Sequence, residues 1–197
     1  ILGIDAKLET GTGKTYVYTR LMYELHRSYG FNKFILLVPS TPIKEGTKNF
    51  IEAEYSKKHF ADIYPTTTLK LEVLNAQKSK KSGRKMFPGS ITEFSRGSRL
   101  EKNRINVLLM SDSMLLSKKT MDKDDYDQTV FGAYTQPYKA LEETRPIIII
   151  DEPHRFKREN KAYQCIVDKI QPQCIIRFGA TFPNMPKGNE KDYNNLV

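Results

Sequence analysis

The stretch "GTGKT" at Gly11 to Thr15 puts two glycines, a lysine and a hydroxyl side by side. Without a Cβ, glycine lets the backbone curl and its N–H groups approach another molecule. A helical pattern follows at once. Leu21, Leu25 and Tyr29 recur at spacing four, with Val17 and Met22 beside them, and Gly30 stands where a C-cap glycine would. The spacing predicts a helix over Lys14 to Tyr29. A helix N-terminus carries unpaired N–H groups and the positive end of the dipole, which suits an anion such as phosphate. Lys14 adds a full positive charge, and the Thr15 hydroxyl can ligate magnesium. This is the logic of the phosphate-binding loop G-x-x-x-x-G-K-[ST], with one departure: Leu8 stands at the first glycine. A plain strand-to-helix turn is the alternative, and it is disfavoured because both flanks of the loop are correct.

A second group supplies what the loop lacks. In "IIIIDEPH", four isoleucines read as a strand buried on both faces, and Asp151 and Glu152 emerge at its carboxyl end. Open α/β sheets place their ligands there. Asp151 can hold magnesium through water, shared with Thr15. Glu152 can orient or deprotonate the water that attacks a γ-phosphate. Alone, the pair would read as a strand end exiting to solvent. His154 completes D-E-x-H, whereas His26 and His59 lack any such context. "FGATF" sets Gly179, Ala180 and Thr181 at the end of the following strand, where small residues let backbone and hydroxyl approach the acids.

These residues need a scaffold that aligns strand ends. "KFILLVPS", "INVLLM", "IIIID" and "CIIRF" are continuous apolar runs suited to buried parallel strands, and "TLKLEVL" is an alternating one. Ser40 or Thr41 can cap a helix with Pro42 in its first turn, which the pattern carries through "NFIEAEYSKKHF". "DSMLLS" reads as a short helix and "KAYQCIVDKI" as another. Within "NAQKSKKSGRKMFPGS", residues 76–90 are basic and aperiodic, a loop or insertion, and "KKTMDKDDYDQ" reads as an exposed connection. Strands alternating with helices imply βαβ units. The expected fold is α/β: a RecA-like three-layer sandwich with a mainly parallel sheet, a P-loop NTPase, in a single domain over 1–197.

The chain has 197 residues, enough for one α/β domain with a full core. It starts at Ile1 inside the first strand and reads as a piece of a longer protein. Thirty-two Lys and Arg against 23 Asp and Glu give +9, which leans toward a polyanionic partner. The two cysteines, Cys165 and Cys174, form no CxxC and have no histidine cluster beside them. They read as reduced thiols of a cytoplasmic protein. No apolar run approaches a membrane span.

The order GTGKT, D-E-x-H, G-A-T resembles the first motor domain of superfamily 2 helicases and translocases, where the first loop glycine is commonly replaced. "IDAKLETGTGKTYVYTRLMYEL", "ILLVPSTPIKEGT" and "RPIIIIDEPHRF" are similar to the Res subunit of type III restriction enzymes, and the likeness spans nearly the whole chain. The resemblance implies that Thr10, Gly11, Thr12, Gly13, Lys14 and Thr15 hold the triphosphate of ATP, Lys14 on its β- and γ-phosphates and Thr15 on Mg2+. It implies that Asp151 positions the metal and Glu152 is the catalytic carboxylate. His154 and Gly179-Ala180-Thr181 would couple nucleotide state to DNA, with Gly179 standing where serine is usual. Pro39, Ser40, Thr41 and Lys44 would touch the DNA backbone, and Ser111 would make a second such contact. The implied partners are double-stranded DNA and a modification (methyltransferase) subunit. A second motor domain with its arginine and a nuclease are not in these residues. Competing readings are a type I restriction motor or repair helicase, a small-molecule kinase, and an inert nucleic-acid-binding module.

Overall fold

The runs "KFILLV" and "IIIID" have no polar face to turn to water, so each must be covered on both sides. Both become central strands. The computed structural model describes residues 1–9, 11–76, 86–96, 101–123, 126, 135–155 and 160–182. Its six strands are β1 (Leu2–Lys7), β2 (Lys33–Val38), β3 (Thr68–Val73), β4 (Arg104–Ser111), β5 (Ile147–Asp151) and β6 (Cys174–Gly179). They form one sheet in the order β1-β6-β5-β2-β4-β3, and every pairing is parallel. All six carboxyl ends therefore lie along one edge.

Strand side chains alternate between faces, and the core divides accordingly. Ile35, Leu37, Leu108, Met110, Ile148 and Ile150 join one apolar cluster, while Phe34, Leu36, Val107, Leu109, Ile147 and Ile149 join the other. The second cluster is closed by α1 (Lys14–Tyr29), α2 (Thr41–Glu52) and α3 (Glu54–Ile63). The first is closed by α4 (Gly89–Arg96), α5 (Asp112–Leu115), α6 (Pro137–Glu142) and α7 (Lys161–Cys165), the last running on as a π-turn over Ile166–Ile170. The result is the expected three-layer α/β sandwich with a parallel sheet.

Register at the edge strand is pinned by charge. Asp5 and Arg177 are partners across β1 and β6, and Arg177 Nε and Nη2 donate to the two Asp5 carboxylate oxygens at 2.6 and 2.5 Å. A one-residue slip would send them to opposite faces, so the pair fixes where β1 releases the loop that follows it.

Two features depart from the sequence expectation. The helix expected to run from Ser40 through Phe60 is two helices, because Ala53 is extended (φ −62°, ψ 137°). The break lets α3 turn its rings onto α1: Tyr23 stacks on Phe60 at 4.9 Å and on Tyr64 at 4.8 Å. Aromatic packing of that kind outweighs the propensity that favoured continuity. The other departure is α4 and α6, short helices that no periodic pattern announced. Phe94 and Ile91 are the buried apolar positions of α4, too few to stand out. The basic run Lys78, Lys80, Lys81, Arg84 and Lys85 lies outside the described residues.

Candidate active site

Between Lys7 and Lys14 the chain turns from β1 into α1. Gly11 (φ 84°) and Gly13 (φ 79°) both occupy the left-handed region, which explains glycine at these two places. Thr12 closes the turn through its Oγ1, 2.7 Å from the Glu9 carbonyl. Among the described residues no side chain caps α1, and a helix start of that kind presents N–H groups that suit an anion. Leu8 needs no glycine conformation. Its N–H continues the ladder by donating to the Gly179 carbonyl at 3.0 Å, and its side chain packs against the α1-side core. Thr10 lies outside the described residues.

The strand order carries the site. β6 sits between β1 and β5, so the ends of these three strands place the glycine loop, Gly179 and the acidic pair in a row. Lys14, 9% exposed, reaches across that row: its Nζ lies 2.7 Å from Glu152 Oε1. This is a charge contact without hydrogen-bond alignment, since Lys14 Nζ has no hydrogen-bond partner. Glu152 aims there because its own backbone is left-handed (φ 59°), a costly conformation for a residue with a Cβ. The Glu152 N–H is anchored on the Phe178 carbonyl at 2.9 Å. His154, half exposed on the one-turn 3-10 helix Pro153–Arg155, sets Nδ1 3.4 Å from Glu152 Oε2.

Asp151 is buried at the tip of β5, and its Oδ1 has no hydrogen-bond partner. Burial pushes its pKa up to about 6; Lys14 pulls against that rise and Glu152 adds to it. An unsatisfied buried carboxylate oxygen is the donor a hard cation such as Mg2+ requires, so Asp151 fits the metal expected here. Thr15 starts α1 beside Lys14 and offers its hydroxyl as a further oxygen. Among the described residues no cluster of three or more His, Cys, Asp or Glu forms a closed metal cage. Mg2+ usually keeps several waters and is bound through one or two carboxylates plus phosphate oxygens, a set that Asp151 and Thr15 would fit.

The other sequence candidates follow the same edge. Gly179 ends β6 between the strands that lead to the loop and the acids, and Ala180 and Thr181 follow it. Ser40 and the exposed Thr41 open α2 after β2, which neighbours β5. Pro39 is buried. Lys44 is buried too, with Nζ donating to Asn75 Oδ1 at 2.6 Å, so its ammonium is turned inward. Ser111 is buried at the end of β4 and caps α5, accepting from the Met114 N–H.

Tyr18 is a residue that spacing alone did not single out. It sits on the apolar face of α1 and reads there as core. Its hydroxyl lies 3.1 Å from Thr47 Oγ1 on α2 and also interacts with the Thr15 side chain, while burial pushes its pKa up to about 12. It ties the phosphate-loop helix to the helix that opens at Ser40.

The chain is similar over nearly its whole length to proteins of one family. The family model described as "Type III restriction enzyme, res subunit" matches residues 3–184. The Res subunit of the type III restriction-modification enzyme StyLTI from Salmonella typhimurium is 54% identical over 190 residues, 96% of this chain. The EcoP15I Res subunit from Escherichia coli is 40% identical over 196 residues, 98% of this chain. The chain spans 19% of the length of each of these relatives. Among solved structures, a nuclease-deletion mutant of the Type ISP restriction-modification enzyme LlaGI, in complex with a DNA substrate mimic, aligns with a TM-score of 0.52 at 15% identity, covering 97% of this chain and 17% of that one. That likeness is one of fold, the RecA-like three-layer α/β sandwich.

Proposed function

Because the chain belongs to the family of type III restriction enzyme Res subunits, we propose that it is the ATP-binding motor domain of such a subunit. It couples ATP hydrolysis to movement along double-stranded DNA. Cleavage is left to a nuclease region outside these 197 residues, and sequence recognition to a methyltransferase partner subunit. A DNA partner of this kind puts the protein in the cytoplasm. No helix among the described residues is long and apolar enough to cross a membrane.

The observation that carries the reading is the contact between Lys14 and Glu152 across the end of β6. It sets a phosphate-binding cation and a carboxylate base on opposite sides of one small gap. The N–H groups of the glycine loop and of the first turn of α1 cradle the phosphates. Lys14 then exchanges Glu152 for the β- and γ-phosphate oxygens. Glu152, released from the ammonium and held by His154 at its other oxygen, accepts the proton of the attacking water. Asp151 and Thr15 would hold Mg2+, which when bound neutralises charge on the phosphates. Ser40 and Thr41 lie one strand from the acid turn, a short path between hydrolysis and a nucleic-acid backbone.

Calorimetry with ATP and magnesium tests this assignment. Charge-assisted hydrogen bonds are typically worth ~1.5–3 kcal/mol, so Lys14→Ala should weaken binding at least ~10-fold. Equal affinity in variant and wild type would sink it.

A further inference from the structure

Gly179 ends β6 where a serine would be the commoner residue of a G-A-T-like turn. The reason is steric and local. A Cβ on Gly179 would stand 2.5 Å from Pro153 Cδ and 3.0 Å from Pro153 Cγ, closer than carbon atoms tolerate. The proline ring thus rests on the bare face of Gly179. Three tethers surround this contact. The Gly179 carbonyl accepts from the Leu8 N–H at the base of the phosphate loop, and the Phe178 carbonyl accepts from the Glu152 N–H. Between Asp151 and Pro153, Glu152 is held left-handed at φ 59°. A left-handed glutamate persists only where its surroundings over-determine it. The ring seated on Gly179 is the part of those surroundings that no hydrogen bond supplies.

We infer that Pro153 and Gly179 are a matched pair of positioning residues: the ring-on-glycine contact holds the acid turn in the conformation that aims Glu152 at the reacting phosphate. The inference rests on the nucleotide-hydrolysing reading of the site. The contact also gives β6 a mechanical part. The end of one strand touches the phosphate loop through Leu8 and the catalytic turn through Glu152 and Pro153. Any shift of β6 reaches both together. Neither residue touches substrate in this scheme; both act through Glu152.

A double-mutant cycle in the full-length enzyme tests the pair, reading DNA-stimulated ATP hydrolysis and ATP affinity separately. Gly179→Ala pushes the ring away, and a displacement of about 1 Å at a catalytic group can cost ~100-fold, so kcat should fall at least ~10-fold. Its ATP Kd should move no more than about 3-fold, because the ring on the acid turn gives way while β6 and its hydrogen bond to Leu8 stay in place. Pro153→Ala removes Cδ and Cγ and should lower kcat by about 3-fold through the loosened turn. In the double variant the added methyl group meets no ring, and kcat should return to the level of Pro153→Ala alone. Two independent roles predict additive losses, with no rescue, and a merely structural role lowers ATP affinity along with kcat. Gly179→Ala at wild-type kcat, or a double variant no better than Gly179→Ala, would overturn the pairing. Should Gly179→Ala fail to fold, Pro153→Ala decides alone: kcat equal to wild type overturns the inference. Wild-type protein that binds no ATP overturns the functional reading and, with it, this role.

Discussion

Lys14 Nζ lies 2.7 Å from Glu152 Oε1 although the two residues follow strands separated by β6. The ammonium that should meet phosphate is therefore already engaged by the carboxylate that should activate water. Under the proposed function, nucleotide binding breaks this contact and frees both groups at once.

Glu152→Gln should separate binding from chemistry. The amide removes the negative charge that competes for Lys14, so ATP affinity should be equal to wild type or up to ~10-fold tighter. Hydrolysis should fall by about 10²–10⁴-fold, the usual contribution of a positioned general base. An equilibrium titration and a single-turnover assay read the two effects. A glutamine variant that hydrolyses at the wild-type rate would remove Glu152 as base.

Lys33 gives a prediction about stability rather than activity. Its Nζ donates to the Phe94 carbonyl and faces the Phe94 ring. Burial first, then repulsion from Arg104 and Lys70, pulls its pKa down to about 8 from 10.5. Between those values the unfolded chain binds more protons than the folded one. Stability therefore rises with pH across that window, and the cost of burying the ammonium is fully present below about 8. Lys33→Met should stabilise the protein most below that pH, with a gain that shrinks as pH climbs toward 10.5. Denaturant midpoints measured across the window check this; a gain independent of pH would contradict it.

DNA binding should be insensitive to sequence and strongly dependent on salt. The net charge of +9 supplies the attraction, and the strand-end edge offers Ser40 and Thr41 rather than a base-reading element. Each phosphate neutralised should add about −0.9 to the slope of log K against log salt for duplex DNA. Binding that ignored salt, or was missing at low salt, would remove nucleic acid as a partner of this domain.

Much of the scaffold was legible because long apolar runs leave little choice. α1 begins and ends where the glycines and the spacing put it, and β2, β4, β5 and β6 are the four continuous runs. The glycine loop and the acid pair could be expected side by side because both follow strand ends of one parallel sheet, and Lys14 and Glu152 do meet there. Short helices with little apolar signal, α4 and α6, could not be read this way. Nor could the break at Ala53, which depends on rings from another helix. The departures at Leu8 and Gly179 have their reasons in residues distant in the chain. Leu8 extends a ladder and Gly179 makes room for Pro153, and neither partner is near in sequence. Spacing reports what a residue can do locally; it does not report what another strand will press against it.

The rate of hydrolysis should separate this domain from the longer protein. Glu152 and Lys14 supply only part of what the transition state needs. In nucleotide-hydrolysing motors the growing charge is also met by an arginine reaching in from a neighbouring domain or partner, worth about 10³–10⁵ in rate. Among the described side chains, Arg177 is committed to Asp5 beneath the site, with Nε and Nη2 both on that carboxylate. The resemblance to superfamily 2 motors puts the missing arginine in a second motor domain, and the relatives are long enough to hold one, since this chain spans 19% of them. Residues 1–197 alone should therefore bind ATP through an intact loop and turn it over very slowly, with or without DNA. The full-length protein should hydrolyse ATP in a DNA-dependent way, faster by about three orders of magnitude or more. Parallel steady-state assays on the two, with and without duplex DNA, decide the matter. Brisk DNA-stimulated turnover by these 197 residues alone would contradict the split site and place the required cation within this chain, where Arg155 and Arg158, just past the acid turn in sequence, would be the first to replace.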